Sequence, residues 1–222
     1  MTLRTYPQLV QGTDEWLAQR CGIVTASVVG QLLTPTLKVA NNDTSRGLTA
    51  TLTAERITGH VEEHFVTADM WRGIQDEPIA RALYAEHHAP VAELGFMVED
   101  RWGFAIGYSP DGLVGDDGLI EIKSRRQKKH LQTILSGEVP PENMAQIQCA
   151  LMVSGRAWCD YISYCGGMPL WTKRVAPDEA WFVAIVAAVE QFERTATAHI
   201  ERYETLTHGL PPTERIETEI EI

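Results

Sequence analysis

Between residues 104 and 123 the chain reads FAIGYSPDGLVGDDGLIEIK, and no other stretch restricts its fold as tightly. The steps Ser109-Pro110-Asp111-Gly112 and Gly115-Asp116-Asp117-Gly118 carry the proline and Asp-Gly signals of tight turns. The runs around them, 104–108, 113–114 and 119–123, are short and β-prone, which predicts a meander of three strands. Strand side chains alternate, so Ile120 and Ile122 take one face and Leu119, Glu121 and Lys123 the other, with Glu121 and Lys123 roughly 7 Å apart along the chain. One face is expected to anchor in a core while the other offers a carboxylate and an ammonium. A fold-back at the Pro-Asp turn would then set Asp111 beside Glu121.

Two close carboxylates repel, and each tends to keep its proton unless a cation lies between them. Oxygen ligands suit Mg²⁺ or Mn²⁺, which keep several waters and take one or two carboxylates plus phosphate oxygens. In phosphodiester hydrolysis such an ion lowers the pKa of a bound water and stabilises the charge of the transition state, and a nearby lysine orients the water or neutralises charge. The alternative is an amphipathic strand whose Glu and Lys face solvent, and the spacing alone leaves both readings open. The run Lys123, Arg125, Arg126, Lys128 and Lys129 follows at once and reads as a basic loop. Phosphate contact is the functional reading of that loop, since Lys and Arg make most such contacts; a solvated surface is the other.

A formal net charge of −11 opposes nucleic-acid binding as a whole-chain property, so the distribution of charge has to supply it. Acid gathers in the tail TERIETEIEI, at about 211–222, read as an exposed arm. With 222 residues, 44% of them hydrophobic, the chain suits one domain over 1–222 with a sizeable core. Cys21, Cys149, Cys159 and Cys165 lack C-x-x-C spacing, which disfavours a zinc site and suits reduced thiols. No apolar run reaches a membrane-spanning length and the N-terminus lacks an apolar signal core, so a soluble, cytoplasmic protein without membrane association is expected.

Helices are predicted at GTDEWLAQRCG, capped by Thr13, and at TASVVGQLL, capped by Thr25. Further helices are expected at SRGLTATLTAERITGH, PIARALYAEHH, PPENMAQIQCALMVSG and 178–206. AWCDYISYC and LWTKRV read as a hairpin across Gly166-Gly167. Trp16 and Arg20, four apart on one helical face, project an indole and a guanidinium together. If a helix starts at Thr25, its free N–H groups with the hydroxyls of Thr25 and Ser27 suit a phosphate. A buried Trp and a capping Thr account for the same residues. The element order gives an α/β fold with a central mixed sheet flanked by helices.

Five pieces in order, QGTDEWLAQRCGIVTAS, WRGIQDEPIAR, SPDG, LIEIK and MAQIQ, resemble the lambda-type viral exonucleases, the YqaJ-like group within the restriction-endonuclease-like fold. The resemblance implies that Asp111, Glu121 and the carbonyl of Ile122 hold one or two Mg²⁺ ions, replaceable by Mn²⁺. It implies that Lys123 positions or activates the attacking water, and that Glu77 and Gln146 complete the site. By the same resemblance Trp16, Arg20, Thr25 and Ser27 form a pocket for a recessed 5′-phosphate. The implied activity is 5′-to-3′ degradation of one strand of double-stranded DNA from its ends, releasing mononucleotides and leaving 3′ single-stranded tails. A single-strand annealing recombinase as partner, a phage or prophage origin in a bacterial cell, and a homotrimeric ring complete what the resemblance implies.

Overall fold

The computed structural model describes residues 3–62 and 67–215. In chain order the elements are β1 (Arg4–Tyr6), α1 (Asp14–Arg20), β2 (Val24–Thr25), a 3₁₀ turn (Val29–Leu32), α2 (Asp43–Thr58), α3 (Ala68–His87), β3 (Val91–Ala92) and β4 (Phe96–Glu99). They continue with β5 (Ile106–Tyr108), β6 (Gly112–Val114), β7 (Gly118–Ser124), α4 (Gln127–Ser136), α5 (Pro141–Ser154), β8 (Trp158–Tyr164), β9 (Trp171–Val175) and α6 (Glu179–Thr207). Of the acidic tail, 211–215 carries no helix or strand, and 216–222 lies outside the described residues.

The strands divide between two sheets, β1-β4-β5-β2 and β3-β6-β7-β8-β9, each mixed because β2 pairs with β5, and β7 with β8, in parallel. The mixed α/β class is as expected, but the expected single meander is not. Between Tyr108 and Gly112 the chain leaves one sheet and enters the other, so the Ser109-Pro110-Asp111 step bridges two sheets. The alternation along β7 holds. Ile120 and Ile122 pack with Ala80 and Tyr84 of α3, while Leu119 packs with the cluster built on α5 and α6. Both faces are therefore covered, and Glu121 is fully buried rather than presented to solvent. A parallel neighbour on one side and helices above and below explain this burial.

Local chemistry sets the helix ends. Thr13 caps α1 by accepting from Trp16 N, Asn42 and Ser45 form a reciprocal capping box on α2, and Pro141 opens α5 at a position whose N–H is not needed. Three expectations are corrected. No helix starts at Thr25: it ends β2, and the Ala26 N–H donates to Gly107 O at 2.9 Å, so the chain here is sheet-bound. The helix expected to open at Pro78 starts ten residues earlier, at Ala68 under a Thr67 cap, and carries Pro78 in its interior. The basic stretch is only in part a loop, because Arg125 and Arg126 connect β7 to α4 while Lys128 and Lys129 lie in the first turn of α4.

Candidate active site

A cleft of about 400 Å³ runs between α1, α3 and the ends of β5 and β7. Its lining includes Trp16, Arg20, Thr25, Ser27, Glu77, Asp111, Ile122, Lys123 and Gln146. The element switch at Ser109-Asp111 brings Asp111 here, and its Oδ2 accepts from Ile122 N at 2.6 Å, locking the turn to β7. Lys123 Nζ lies 2.6 Å from Glu121 Oε1, closing the gap left by strand spacing because the lysine stem folds back. Apart from that ammonium, neither Glu121 oxygen has a hydrogen-bonding partner among the described residues.

Glu77 enters from α3, one turn before Arg81. Arg81 pairs with Glu77 and with Glu93, and its Nε donates to Asp111 O at 2.7 Å. The pairing of Glu77 with Arg81 therefore coexists with a place in the cleft, and Arg81 ties α3 to the Asp111 turn. Gln146 projects into the cleft from α5.

The electrostatics are those of crowded acids. Burial first, then the charges of Glu121 and Glu77, hold the Asp111 carboxyl well above its usual range. Burial likewise raises Glu77, with Arg81 opposing it. For Lys123, burial pulls the ammonium down, but Glu121 and Asp111 more than offset it and the net shift is upward, so in the metal-free site it stays charged. A raised folded-state value means that Asp111 stabilises the metal-free protein below the ordinary Asp range and that this contribution is lost as pH rises through the raised value. Asp111→Asn keeps an acceptor for Ile122 N and removes one of the repelling charges. It is expected to raise the metal-free Tm at neutral pH by several degrees, about 2–4 °C per kcal/mol for a chain of this size, and to flatten the mildly acidic part of the stability profile. Thermal melts in EDTA from pH 4 to 8 check this.

Next to the acids is a built cationic wall. The Arg20 guanidinium stacks over the Trp16 ring, 4.1 Å from its centroid, and donates from Nη2 to Thr25 Oγ1 at 3.3 Å. Thr25 Oγ1 and Ser27 Oγ are 3.0 Å apart, and Trp16 Nε1 donates to Ser109 Oγ at 2.9 Å. The pocket residues named from the sequence meet, but hydroxyls and an arginine replace the expected helix N-terminus. Ser109, directly before the Pro-Asp step, was missed; its neighbour Asp111 was the available signal.

The basic run is less free than expected. Arg125 turns inward, with Nη2 on Asn143 Oδ1 at 2.6 Å and Tyr161 Oη at 3.2 Å. Arg126 pairs with Asp69, which also takes Arg72, and Lys129 pairs with Glu142 at 2.7 Å. Lys128 is exposed on α4. Of this run, the cleft itself takes only Lys123.

Among the described residues no three His, Cys, Asp or Glu side chains stand in a preformed metal cage. The donor chemistry nevertheless fits a hard divalent cation: a buried carboxylate whose one close partner is Lys123, a second carboxyl crowded by its acidic neighbours, and only oxygen ligands at hand.

Residues 15–157 match the profile of the YqaJ-like viral recombinase domain. The chain is similar in structure to an alkaline exonuclease, LHK-Exo, from Laribacter hongkongensis, at 35% identity and a TM-score of 0.80 over 90% of this chain and 100% of that one. The structure of LHK-Exo in complex with dAMP matches to the same extent, 35% identity and a TM-score of 0.80 over 90% and 100% of the two chains. A phage related exonuclease from Haemophilus somnus 129PT shares the fold at 12% identity, with a TM-score of 0.59 over 80% of this chain and 96% of that one. No curated protein sequence matches significantly.

Proposed function

The chain belongs to the YqaJ-like viral recombinase domain family, and from that premise and the geometry of the cleft we propose a deoxyribonuclease that degrades one strand of linear double-stranded DNA from its 5′ end. The observation that carries the reading is the meeting, in one cleft, of Asp111, Glu77 and Lys123, with Glu121 buried against Lys123, and a wall of Trp16, Arg20, Thr25 and Ser27. Acids alone would suit many hydrolases. Acids beside an arginine-and-hydroxyl pocket suit a phosphodiester held at one phosphate and cut at the next.

Asp111, Glu121 and the Ile122 carbonyl would hold Mg²⁺, which supplies an acidified water and charge stabilisation when bound. Lys123, charged and anchored at Glu121, neutralises anionic oxygen at the scissile phosphate and orients the attacking water. Glu77 completes the acidic rim under the control of Arg81, and Gln146 offers an amide for water or phosphate. Arg20, its fork fixed by the indole, takes the terminal 5′-phosphate together with the hydroxyls of Thr25 and Ser27. Ser109 ties that subsite to the acid turn through Trp16, fixing the distance from terminal phosphate to cut and so favouring mononucleotide products.

The same reading gives 3′ single-stranded tails, the substrate of a strand-annealing recombinase. It also bears on assembly. At −11, and with Arg126 and Lys129 already paired with acids, one chain holds DNA weakly. Exposed pairs of this kind contribute little and exchange readily for phosphate. Three chains closed into a ring would confine the duplex by topology, and sedimentation is expected to show a species three times the 24.7 kDa of one chain. The activity is tested with linear and covalently closed duplex of one sequence, in Mg²⁺ and in EDTA. Loss of the linear form in Mg²⁺ alone is expected; equal attack on the closed circle would replace the exonuclease with an endonuclease.

A further inference from the structure

Tyr108, the last residue of β5, is 1% exposed, and its hydroxyl has no hydrogen-bonding partner among the described residues. Buried phenol groups usually find one, since an unmatched buried hydroxyl costs stability. The ring lines the cleft, directly before Ser109 and three residues before Asp111, whose Oδ2 is bonded to the residue after Glu121. Glu121, also fully buried, has only the Lys123 ammonium, 2.6 Å from Oε1, at its carboxylate. A phenol with no acceptor and a carboxylate attended only by Lys123 therefore lie on one side of β7, since Tyr108 packs in the same cluster as Leu119, which shares its strand face with Glu121. Each is the chemical complement of the other.

We propose that Tyr108 is a positioning residue of the metal-loaded site, its O–H donating to the Glu121 carboxylate or to a water that Glu121 helps to hold. The inference rests on the divalent-cation reading given above. In the metal-free protein Lys123 attends Glu121 from 2.6 Å, and the phenol is left over. With Lys123 kept on one Glu121 oxygen, the phenol would fix the orientation of the other in a site whose carboxylates hold a cation. Outer partners of this kind orient the ligands, and their loss lowers metal affinity.

Tyr108→Phe removes only the hydroxyl. The test is calorimetric titration of the DNA-free protein with Ca²⁺ and with Mg²⁺, together with melts in EDTA and turnover across a Mg²⁺ series. The metal-free Tm of the variant is expected to equal or exceed that of the parent, because an unmatched donor has been deleted. Its cation affinity is expected to fall about tenfold, with turnover at saturating Mg²⁺ recovering most of the parent rate. Unchanged cation affinity would overturn the inference and leave the metal site intact. A metal-free Tm lowered by several degrees would overturn it too, since the hydroxyl would then already be used structurally. If the parent itself binds neither cation, the metal reading fails first and this inference with it.

Discussion

Glu121→Gln and Asp111→Asn are each expected to lower Mg²⁺-dependent hydrolysis of linear duplex by ~10³-fold or more, from loss of charge stabilisation at the reacting phosphate. Neither should unfold the chain. Glu121 is fully buried and is met only by Lys123, so an amide of the same shape weakens that one contact while shedding repulsion against Asp111. Asp111→Asn still accepts from Ile122 N. A dead enzyme that melts no lower than the parent separates a charge required for chemistry from one required for folding. Lys123→Ala is expected to fall less, by roughly 10²-fold, because it removes a positioned cation and leaves the oxygen ligands in place. Single-turnover assays with melts on the same samples measure all three, and near-parental hydrolysis by the Asp111 variant would remove this cleft from the account.

The second large effect concerns the end of the strand. Arg20→Ala is expected to erase the preference for 5′-phosphorylated over 5′-hydroxyl ends, a loss of about 10- to 150-fold if one charge-assisted contact contributes about 1.5–3 kcal/mol. The rate on 5′-hydroxyl ends should change little, since that substrate never made the contact. Arg20→Lys is a sharper control. It retains a charge but cannot keep both the stack on Trp16 and the fork toward Thr25, so it should recover only part of the preference. Competition between the two labelled ends in one reaction gives the ratio directly. A variant that prefers phosphorylated ends as strongly as the parent would place the anchor elsewhere.

The acids were legible in the sequence because β7 obeys simple alternation and the Pro-Asp turn has a narrow range of shapes. Asp111 reaches the neighbour of Glu121 by that route. Burial of Glu121 was not legible, since alternation reports which residues share a face and not what covers it. That cover comes from a parallel partner, Trp158–Tyr164, distant in sequence. Phe96–Glu99 went unnoticed for a related reason: all four residues are buried, leaving no polar alternation to read. Thr25 misled because Thr before an apolar run signals a helix cap, whereas pairing with Gly107 made it a strand end. Pro78 misled as a helix start because the Thr67 cap precedes a stretch with little amphipathic pattern. Lys128 and Lys129 looked like loop residues because a run of charge hides helical period. The pairing of Arg126 with Asp69 across 57 positions could come only from the fold. Tyr108 gave no sign beyond ending a strand.

The central claim, that a 5′-phosphate anchored at Arg20 delivers the next phosphodiester to Asp111, Glu121 and Lys123, is tested most directly on one substrate. A linear duplex carries a 5′-phosphate on a single strand, with distinct labels at the 5′ and 3′ ends of that strand, and its products are followed in time with Mg²⁺ and with EDTA. The account predicts that the 5′ label leaves first as a mononucleotide, that the 3′ label follows only after the full length is traversed, that the complementary strand survives, and that EDTA stops all of it. Early release of the 3′ label, or internal fragments from either strand, would contradict it.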